Sequence, residues 1–381
     1  EYVQAKEIEF TAGEDEDQTL VMQDKQVSFT KTDVTGEKEV EGATITVKEK
    51  ETDKIVDEWI SGKEDHKIKG LEERKTYILS EIVTPEDYVK ATDIEFTVTE
   101  EKVNQEVNMK DKQVKVSKTT AGGDEVVGAS MQIRDEFGNI IDEWISDGKE
   151  HYATGLVEGK KYILHEDLAP TGFNLANDFE FEVSKEKENQ TVEMIDTLNE
   201  VSKVDEKGNL LKGAEMTVTS NKTKNIIDKW ISGQHIFDVT DEMKSQLKET
   251  GKAEGMYVDD EDSTVQYSIA KNKGKDDYTV MFVEDGITTY TNIDLDGNET
   301  RHMIQGLEAG EEYVLKETKT PNGYATFKTQ TFTAEEGKDT SLSMVDEDTK
   351  VEVSKQDITT KKELEGAKLK VTDKDGKVID E

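Results

Sequence analysis

A unit of about 85 residues repeats along this chain, and every copy must therefore fold in the same way. The pair Gly-Ala recurs at Gly42-Ala43, Gly128-Ala129, Gly213-Ala214 and Gly366-Ala367. All three tryptophans occupy one motif, Asp57-Glu58-Trp59-Ile60-Ser61, Asp142-Glu143-Trp144-Ile145-Ser146 and Asp228-Lys229-Trp230-Ile231-Ser232. All three prolines (Pro85, Pro170, Pro321) follow a glutamate by four positions. The last Gly-Ala interval is longer than the others, so the third full copy carries an insertion at about residues 234–301. The expected division is 1–24 as the C-terminal part of a repeat, 25–111 and 112–196 as complete repeats, 197–346 as a repeat with its insertion, and 347–381 as the N-terminal part of a further repeat. Both ends fall inside a repeat, so the chain reads as a window from a longer array.

Within each repeat the apolar residues alternate with a period of two, the signature of strands with one buried face. The opening strand places Val27, Phe29 and Lys31 on one face; its counterparts are Val114, Val116, Lys118 and, in the last partial copy, Val351, Val353, Lys355. A later strand gives Tyr77, Leu79, Glu81; Tyr162, Leu164, Glu166; and Tyr313, Leu315, Glu317. The closing strand gives Val107, Met109, Asp111; Val192, Met194, Asp196; and Leu342, Met344, Asp346. Residues two apart in a strand share a face, so a lysine, a glutamate and an aspartate point inward in every copy. Short strands separated by glycine-rich turns indicate an all-β chain of tandem immunoglobulin-like β-sandwiches arranged as a rod.

Three charges aimed at a core need a reason. One resolution is a buried salt-bridge triad, an arrangement that stabilises little. The other is condensation of the lysine with the aspartate into an uncharged amide. Desolvation favours the neutral forms of both groups, and a neutral amine is a nucleophile. The glutamate can carry the proton, and the fold holds the partners together. This would be a single-turnover self-modification, not enzymatic turnover. Asp24 closes a copy whose lysine is missing, and Lys355 opens one whose aspartate lies beyond Glu381, so neither has a partner in this segment. Lys31, Lys118 and Lys203 each follow the preceding aspartate by seven positions, which leaves room only for tight junctions.

The runs "KGAEMTV", "YVLKETKTPNGY" and "SLSMVDED" resemble the collagen-adhesin B-type, or SpaA-type, prealbumin-like repeats of Gram-positive surface proteins and pilins. The resemblance covers the whole chain outside the insertion. It implies a reverse-immunoglobulin sandwich and spontaneous isopeptide bonds. The nucleophile role then falls on Lys31, Lys118 and Lys203, and the acceptor role on Asp111, Asp196 and Asp346. The proton-shuttle role falls on Glu81, Glu166 and Glu317. Two departures stand out. "TPEDY" lacks the usual glycine before Tyr88, and every acceptor is aspartate where asparagine is commoner, so the leaving group becomes water and the acceptor must be protonated.

The net charge of −38 disfavours nucleic acid and anionic membranes as partners. With no cysteine there is no disulfide, thiol nucleophile or thiolate metal site. No cofactor and no metal are expected. Asp294, Asp296 and Asn298 resemble part of a calcium loop, but Gly297 comes too early, and a hairpin turn is the simpler expectation. The acidic run Asp259–Asp262 reads as a solvated loop, and the five histidines form no ligand spacing. Within the insertion, Thr240 can cap a helix over 241–249 that Gly251 stops, and strand-like runs follow at 265–270, 278–283 and 287–294. The expected function is an extracellular, cell-wall-anchored stalk or pilus-like fibre, stabilised by Lys–Asp isopeptide bonds. The alternative is an adhesin whose inserted subdomain binds a host or neighbouring-cell ligand; further copies in a fibre are the other candidate partners.

Overall fold

The computed structural model describes residues 2–348 and 353–381 apart from 6, 14–16, 18, 102, 259–263, 285, 326–328 and 336. The acidic run Asp259–Asp262 and Val351 lie outside the described residues. The first complete repeat holds seven strands: β1 (Val27–Asp33), β2 (Thr44–Glu49), β3 (Ile55–Ile60), β4 (His66–Lys67), β5 (Thr76–Val83), β6 (Ile94–Thr97) and β7 (Gln105–Asp111). They form two sheets, β4-β1-β7 and β3-β2-β5-β6. The second repeat has the same order: β8 (Val114–Thr120), β9 (Val127–Asp135), β10 (Ile140–Asp147), β11 (His151–Tyr152), β12 (Lys161–Leu168), β13 (Phe179–Glu182) and β14 (Gln190–Asp196). Its sheets are β11-β8-β14 and β10-β9-β12-β13.

In the complete repeats the inward faces are those that the period-two pattern marks; in the last partial copy Val353 and Lys355 are exposed and lie in no strand. In the first repeat Val27, Phe29, Ile45, Val47, Tyr77, Leu79, Phe96 and Met109 form one buried cluster between the sheets. The first and last strands of the repeat are neighbours and run parallel, with Lys31 opposite Met109 and Asp33 opposite Asp111. Parallel neighbours need a long crossover, and here the whole of the facing sheet supplies it.

The Gly-Ala and Trp-Ile-Ser motifs are two halves of one lock. Gly42, Gly128 and Gly213 have φ of +91°, +93° and +86°, a region that side chains disfavour. The turn they make presents the next N–H to a serine: Ala43 N donates to Ser61 Oγ (2.9 Å), Ala129 N to Ser146 Oγ (2.9 Å) and Ala214 N to Ser232 Oγ (3.0 Å).

The third repeat contains β15 (Asn199–Asp205), β16 (Glu215–Ser220), β17 (Ile226–Ile231), α1 (Asp241–Thr250), β18 (Lys252–Val258), β19 (Thr264–Lys271), β20 (Tyr278–Glu284), β21 (Ile287–Ile293), β22 (Glu299–Met303), β23 (Glu312–Lys319), β24 (Gln330–Thr333) and β25 (Thr340–Asp346). One sheet is the usual β17-β16-β23-β24. The other is a continuous seven-stranded sheet, β18-β19-β20-β21-β22-β15-β25. Strand β22 pairs with β15, setting His302 opposite Val201, as His66 stands opposite Phe29 and His151 opposite Val116. The inserted segment therefore prolongs the sandwich sheet at the edge that β4 and β11 leave free in the other repeats. Thr240 caps α1, its side chain accepting from Met243 N, and Gly251 ends it at φ +76°. The Asp294 carboxylate accepts from the backbone N–H groups of Asp296 and Asn298 (2.9 Å each) and closes the turn between β21 and β22.

A buried charge cluster joins the insertion to the sandwich. Glu200 stands at the outward register position of β15, yet it is only 3% exposed because β22 and its neighbours cover it. Arg301 links it to Asp277, through Nε (2.6 Å) and Nη2 (3.0 Å), and Lys275 reaches Glu200 at 2.6 Å. Burial pushes the Glu200 carboxyl up, but Lys275, Ser341 and Arg301 outweigh it and hold it below its ordinary value. After β25 the described chain ends in a small hairpin of β26 (Val371–Thr372) and β27 (Val378–Asp380).

Candidate functional site

Each complete repeat brings one lysine, one glutamate and one aspartate into contact inside its sandwich. Lys31 and Asp111 come from the parallel pair β1 and β7, and Glu81 comes from β5 in the facing sheet, opposite Ile45. The lysine lies opposite the methionine two residues before the aspartate, so its side chain reaches diagonally along the sheet to the carboxyl. The same two-residue offset sets Lys118 opposite Met194 and Lys203 opposite Met344. All nine residues are buried, none more than 3% exposed.

Lys31 Nζ makes a short contact to Asp111 Oδ1, as Lys118 does to Asp196 and Lys203 to Asp346. The glutamates also reach each amine, with Nζ to Oε1 distances of 3.0 Å (Glu81), 3.1 Å (Glu166) and 3.2 Å (Glu317). The other glutamate oxygen is fixed by a donor. Ala91 N donates to Glu81 (2.9 Å), Ala176 N to Glu166 (2.7 Å) and the Thr320 hydroxyl to Glu317 (3.1 Å).

The site is arranged for a protonated aspartate. Burial pushes the Asp111 carboxyl up, and despite the opposing pull of Lys31, with Glu81 adding to the rise, it reaches about 7. Asp196 is raised to about 7 by the same causes, and Asp346 is raised as well, by burial first. As ionised groups the carboxylates only accept, and Oδ2 of Asp111, Asp196 and Asp346 is buried without a hydrogen-bond partner. A proton shared between aspartate and glutamate would satisfy it. The arrangement thus joins an amine, an acid carboxyl and a second carboxylate able to move a proton, all shielded from solvent. Asp24 and Lys355 are exposed.

Two sets of polar residues, one half-buried and one buried, escaped the sequence reading. His66, His151 and His302 each stack flat on the motif tryptophan, with ring centroids 4.2, 3.9 and 4.1 Å apart. Each also bonds through Nε2 to the motif aspartate, Asp57 (2.8 Å), Asp142 (2.9 Å) or Asp228 (2.9 Å). In the third copy the insertion separates Trp230 from His302, which hides the common spacing. Burial alone would depress His302, but Asp228 and Glu299 raise it to about 9. The second set is Lys25 and Lys112, buried next to the repeat junctions; Lys112 Nζ donates to the carbonyls of Ser184 and Glu186. Among the described residues no group of His, Cys, Asp and Glu is placed to hold a metal ion.

The SpaA prealbumin-like fold domain matches this chain over residues 25–113, 112–198 and 269–348, more than half of its length, and the chain belongs to that family. No curated protein matches it. Among solved structures it is similar to the Bacillus anthracis TIE protein at 17% identity, over 84% of this chain and 50% of that one, with a TM-score of 0.21. It therefore spans half the length of that protein. The shaft pilin spaA from Lactobacillus rhamnosus GG aligns at 14% identity over 64% of this chain and 99% of the pilin, with a TM-score of 0.24. The pilus adhesin SpaC of the same organism aligns at 9% identity over 86% and 44%, with a TM-score of 0.29. Likeness at that level decides nothing about role, and the family assignment rests on the domain matches.

Proposed function

We propose that this chain is part of the stalk or fibre of a Gram-positive surface protein, held outside the cell and anchored to its wall, and that each complete repeat crosslinks itself. The bonds join Lys31 to Asp111, Lys118 to Asp196 and Lys203 to Asp346. Glu81, Glu166 and Glu317 serve as the proton carriers. The observation that carries the reading is the threefold recurrence of one buried contact geometry with aspartates pushed toward the protonated form.

The reaction balances within the triad. The Lys31 ammonium gives a proton to the Glu81 carboxylate, and the freed amine attacks Cγ of the protonated Asp111. A C–N bond forms and a C–O bond breaks. The hydroxyl leaves with the proton that Glu81 returns to it, as water. The second proton of the attacking nitrogen then passes to Glu81, so the products are an amide, one water and a protonated glutamate, and the triad ends without a charge. An uncharged amide replaces an ion pair, which removes most of the penalty for burying charge.

The test is the intact mass of the denatured chain. Three crosslinks leave it three waters lighter than its sequence, and Glu81→Ala, Glu166→Ala and Glu317→Ala each restore one water. The full sequence mass in the wild type would reduce the triads to ion pairs and sink the proposal.

A further inference from the structure

The joints between repeats share a backbone pattern but differ in their side chains. At the first joint Val89 N donates to Lys112 O and Lys90 N to Leu156 O, both at 2.9 Å. Val89 is fully buried and belongs to the core of the second repeat. Glu158, itself held by Lys187 at 2.6 Å, accepts from Thr92 N (3.0 Å) and the Thr92 hydroxyl (2.8 Å), so a buried carboxylate grips the incoming chain. The preceding joint follows the same plan, with Val3 buried in the first core and Lys25 standing 3.7 Å from Glu73.

At the second joint the backbone bonds persist: Asn174 N donates to Thr197 O (2.8 Å) and Leu175 N to Leu307 O (3.3 Å). The side chains differ: Asn174 Nδ2 donates to Thr197 Oγ1 (2.9 Å), and the Thr197 hydroxyl to Glu335 O (3.3 Å), where Lys112 reaches Ser184 O at the first joint. Asn174 stands where Val89 stood, Thr197 where Lys112 stood, and Ala309 where Glu158 stood. Asn174 Oδ1 is buried with no hydrogen-bond partner. The space beside these residues is a cleft of about 190 Å³ lined in part by Ala176, Asn177, Phe179, Thr197 and Ala309. The carboxylate grip of Glu158 on Thr92 has no counterpart at Ala309.

The insertion meets the second repeat across this same joint. Tyr290 on β21 receives a hydrogen bond at its hydroxyl from Val127 N (3.1 Å). Its own N–H donates to Thr171 O (2.9 Å), and Thr171 N donates to Thr288 O (3.1 Å). The Tyr290 ring meets Phe173 edge to face, with centroids 5.0 Å apart. Two glycines make the approach possible. A Cβ on Gly128 would overlap the Thr288 side chain, and one on Gly172 would come within 2.9 Å of Tyr290 O. Gly42, the counterpart of Gly128 in the first repeat, has almost the same φ and nothing within 4 Å of a Cβ.

We infer that the inserted segment is a splint whose partner is the preceding repeat. It adds a β-bridge and an aromatic dock, both built on β21, to a joint where the uncharged Asn174, Thr197 and Ala309 stand in the places of Val89, Lys112 and Glu158. The inference deepens the stalk reading and rests on it for its purpose, but not on the crosslinks, which mass reads separately.

The matched pair Gly128→Ala and Gly42→Ala in the full chain tests it. Both put an alanine at positive φ, but only the first pushes Thr288 away. Hydrogen exchange is followed at Thr171, Val127 and Tyr290, with Val89 and Lys90 as the reference joint. Gly128→Ala should speed exchange at the first three by about ten- to a hundredfold and leave the reference joint unchanged. It should also broaden the distance distribution between dyes on the second and third repeats. Gly42→Ala should do neither. Tyr290→Phe, which keeps the ring, should speed exchange at Val127 alone. Equal exchange in the two glycine variants, or an unaltered distance distribution in Gly128→Ala, would overturn the splint. A chain that kept its full sequence mass while Gly128→Ala behaved as expected would reject the crosslinks and leave the splint standing.

Discussion

Glu166→Ala in the second repeat separates covalent from ionic stabilisation. Lys118 and Asp196 are 78 positions apart, so the amide closes a loop whose entropy in the unfolded chain amounts to about 4–5 kcal/mol. Losing the glutamate also leaves Ala176 N, now bonded at 2.7 Å, without its acceptor, worth about 1–3 kcal/mol. In a repeat of this size one kcal/mol moves the midpoint by roughly 4–8 °C, so loss of the crosslink alone lowers melting by roughly 16–40 °C. The assay is calorimetry of the full chain, in which the first and third repeats serve as internal references, together with intact mass on the same sample. If Glu166→Ala keeps the wild type's deficit of three waters, the loop closes without the glutamate and it is not the proton carrier; if neither chain shows a deficit and the second repeat moves by only a few degrees, the loop was never closed.

Asp196→Asn changes the leaving group to ammonia but converges on the same amide, so the reacted variant should have the same mass as the reacted wild type; any difference places the bond elsewhere. His302 is protonated up to about pH 9 when folded and only to about 6.5 when unfolded, so it stabilises fully below pH 6.5 and loses that contribution as pH rises through 9. The effect is up to about 3 kcal/mol, and the melting of the third repeat at pH 6 and pH 9.5, compared with His302→Gln, should show it; equal pH dependence in both chains refutes it. Arg301→Ala strands Glu200 and Asp277 in a buried cluster and should destabilise the insertion by about 3–5 kcal/mol, read by denaturant unfolding; a change below 1 kcal/mol would mean Lys275 and Thr300 suffice. Lys112→Met keeps the stem but removes the donor to Ser184 O and Glu186 O, and exchange of that loop's amides should rise while the Lys118–Asp196 mass deficit stays.

Much of this was legible because a strand writes its faces into alternate positions. The inward parity of Lys31, Glu81 and Asp111 follows from neighbours two residues away, and threefold repetition removes the ambiguity of any one strand. What failed to show depends on contacts between distant segments. Glu200 reads as an outward residue of β15, and only the arrival of β22 and Arg301 buries it. Lys112 reads as a linker residue until the loop at 184–186 folds over it. Strand β18 carries a lysine, a glutamate and Gly255 and has no clean alternation, so it takes its conformation from β19 rather than from its own sequence. The histidine that stacks on each tryptophan follows it by seven positions in two copies, but His302 lies beyond the insertion from Trp230.

The parallel pairing of the first and last strands decides how such an array lengthens under tension. The chain enters a repeat at one end of β1 and leaves from the opposite end of β7, so a pull along the array slides the two strands past each other and loads their hydrogen bonds together. An opened repeat without a crosslink would release the residues between Lys31 and Asp111, 80 positions apart, as roughly 270 Å of slack. With the amide closed, only the few residues before Lys31 can pay out. A string of repeats closed in this way would behave as a cable of nearly fixed length, and a stalk built of them would hold its tip at a constant distance through a sudden tug.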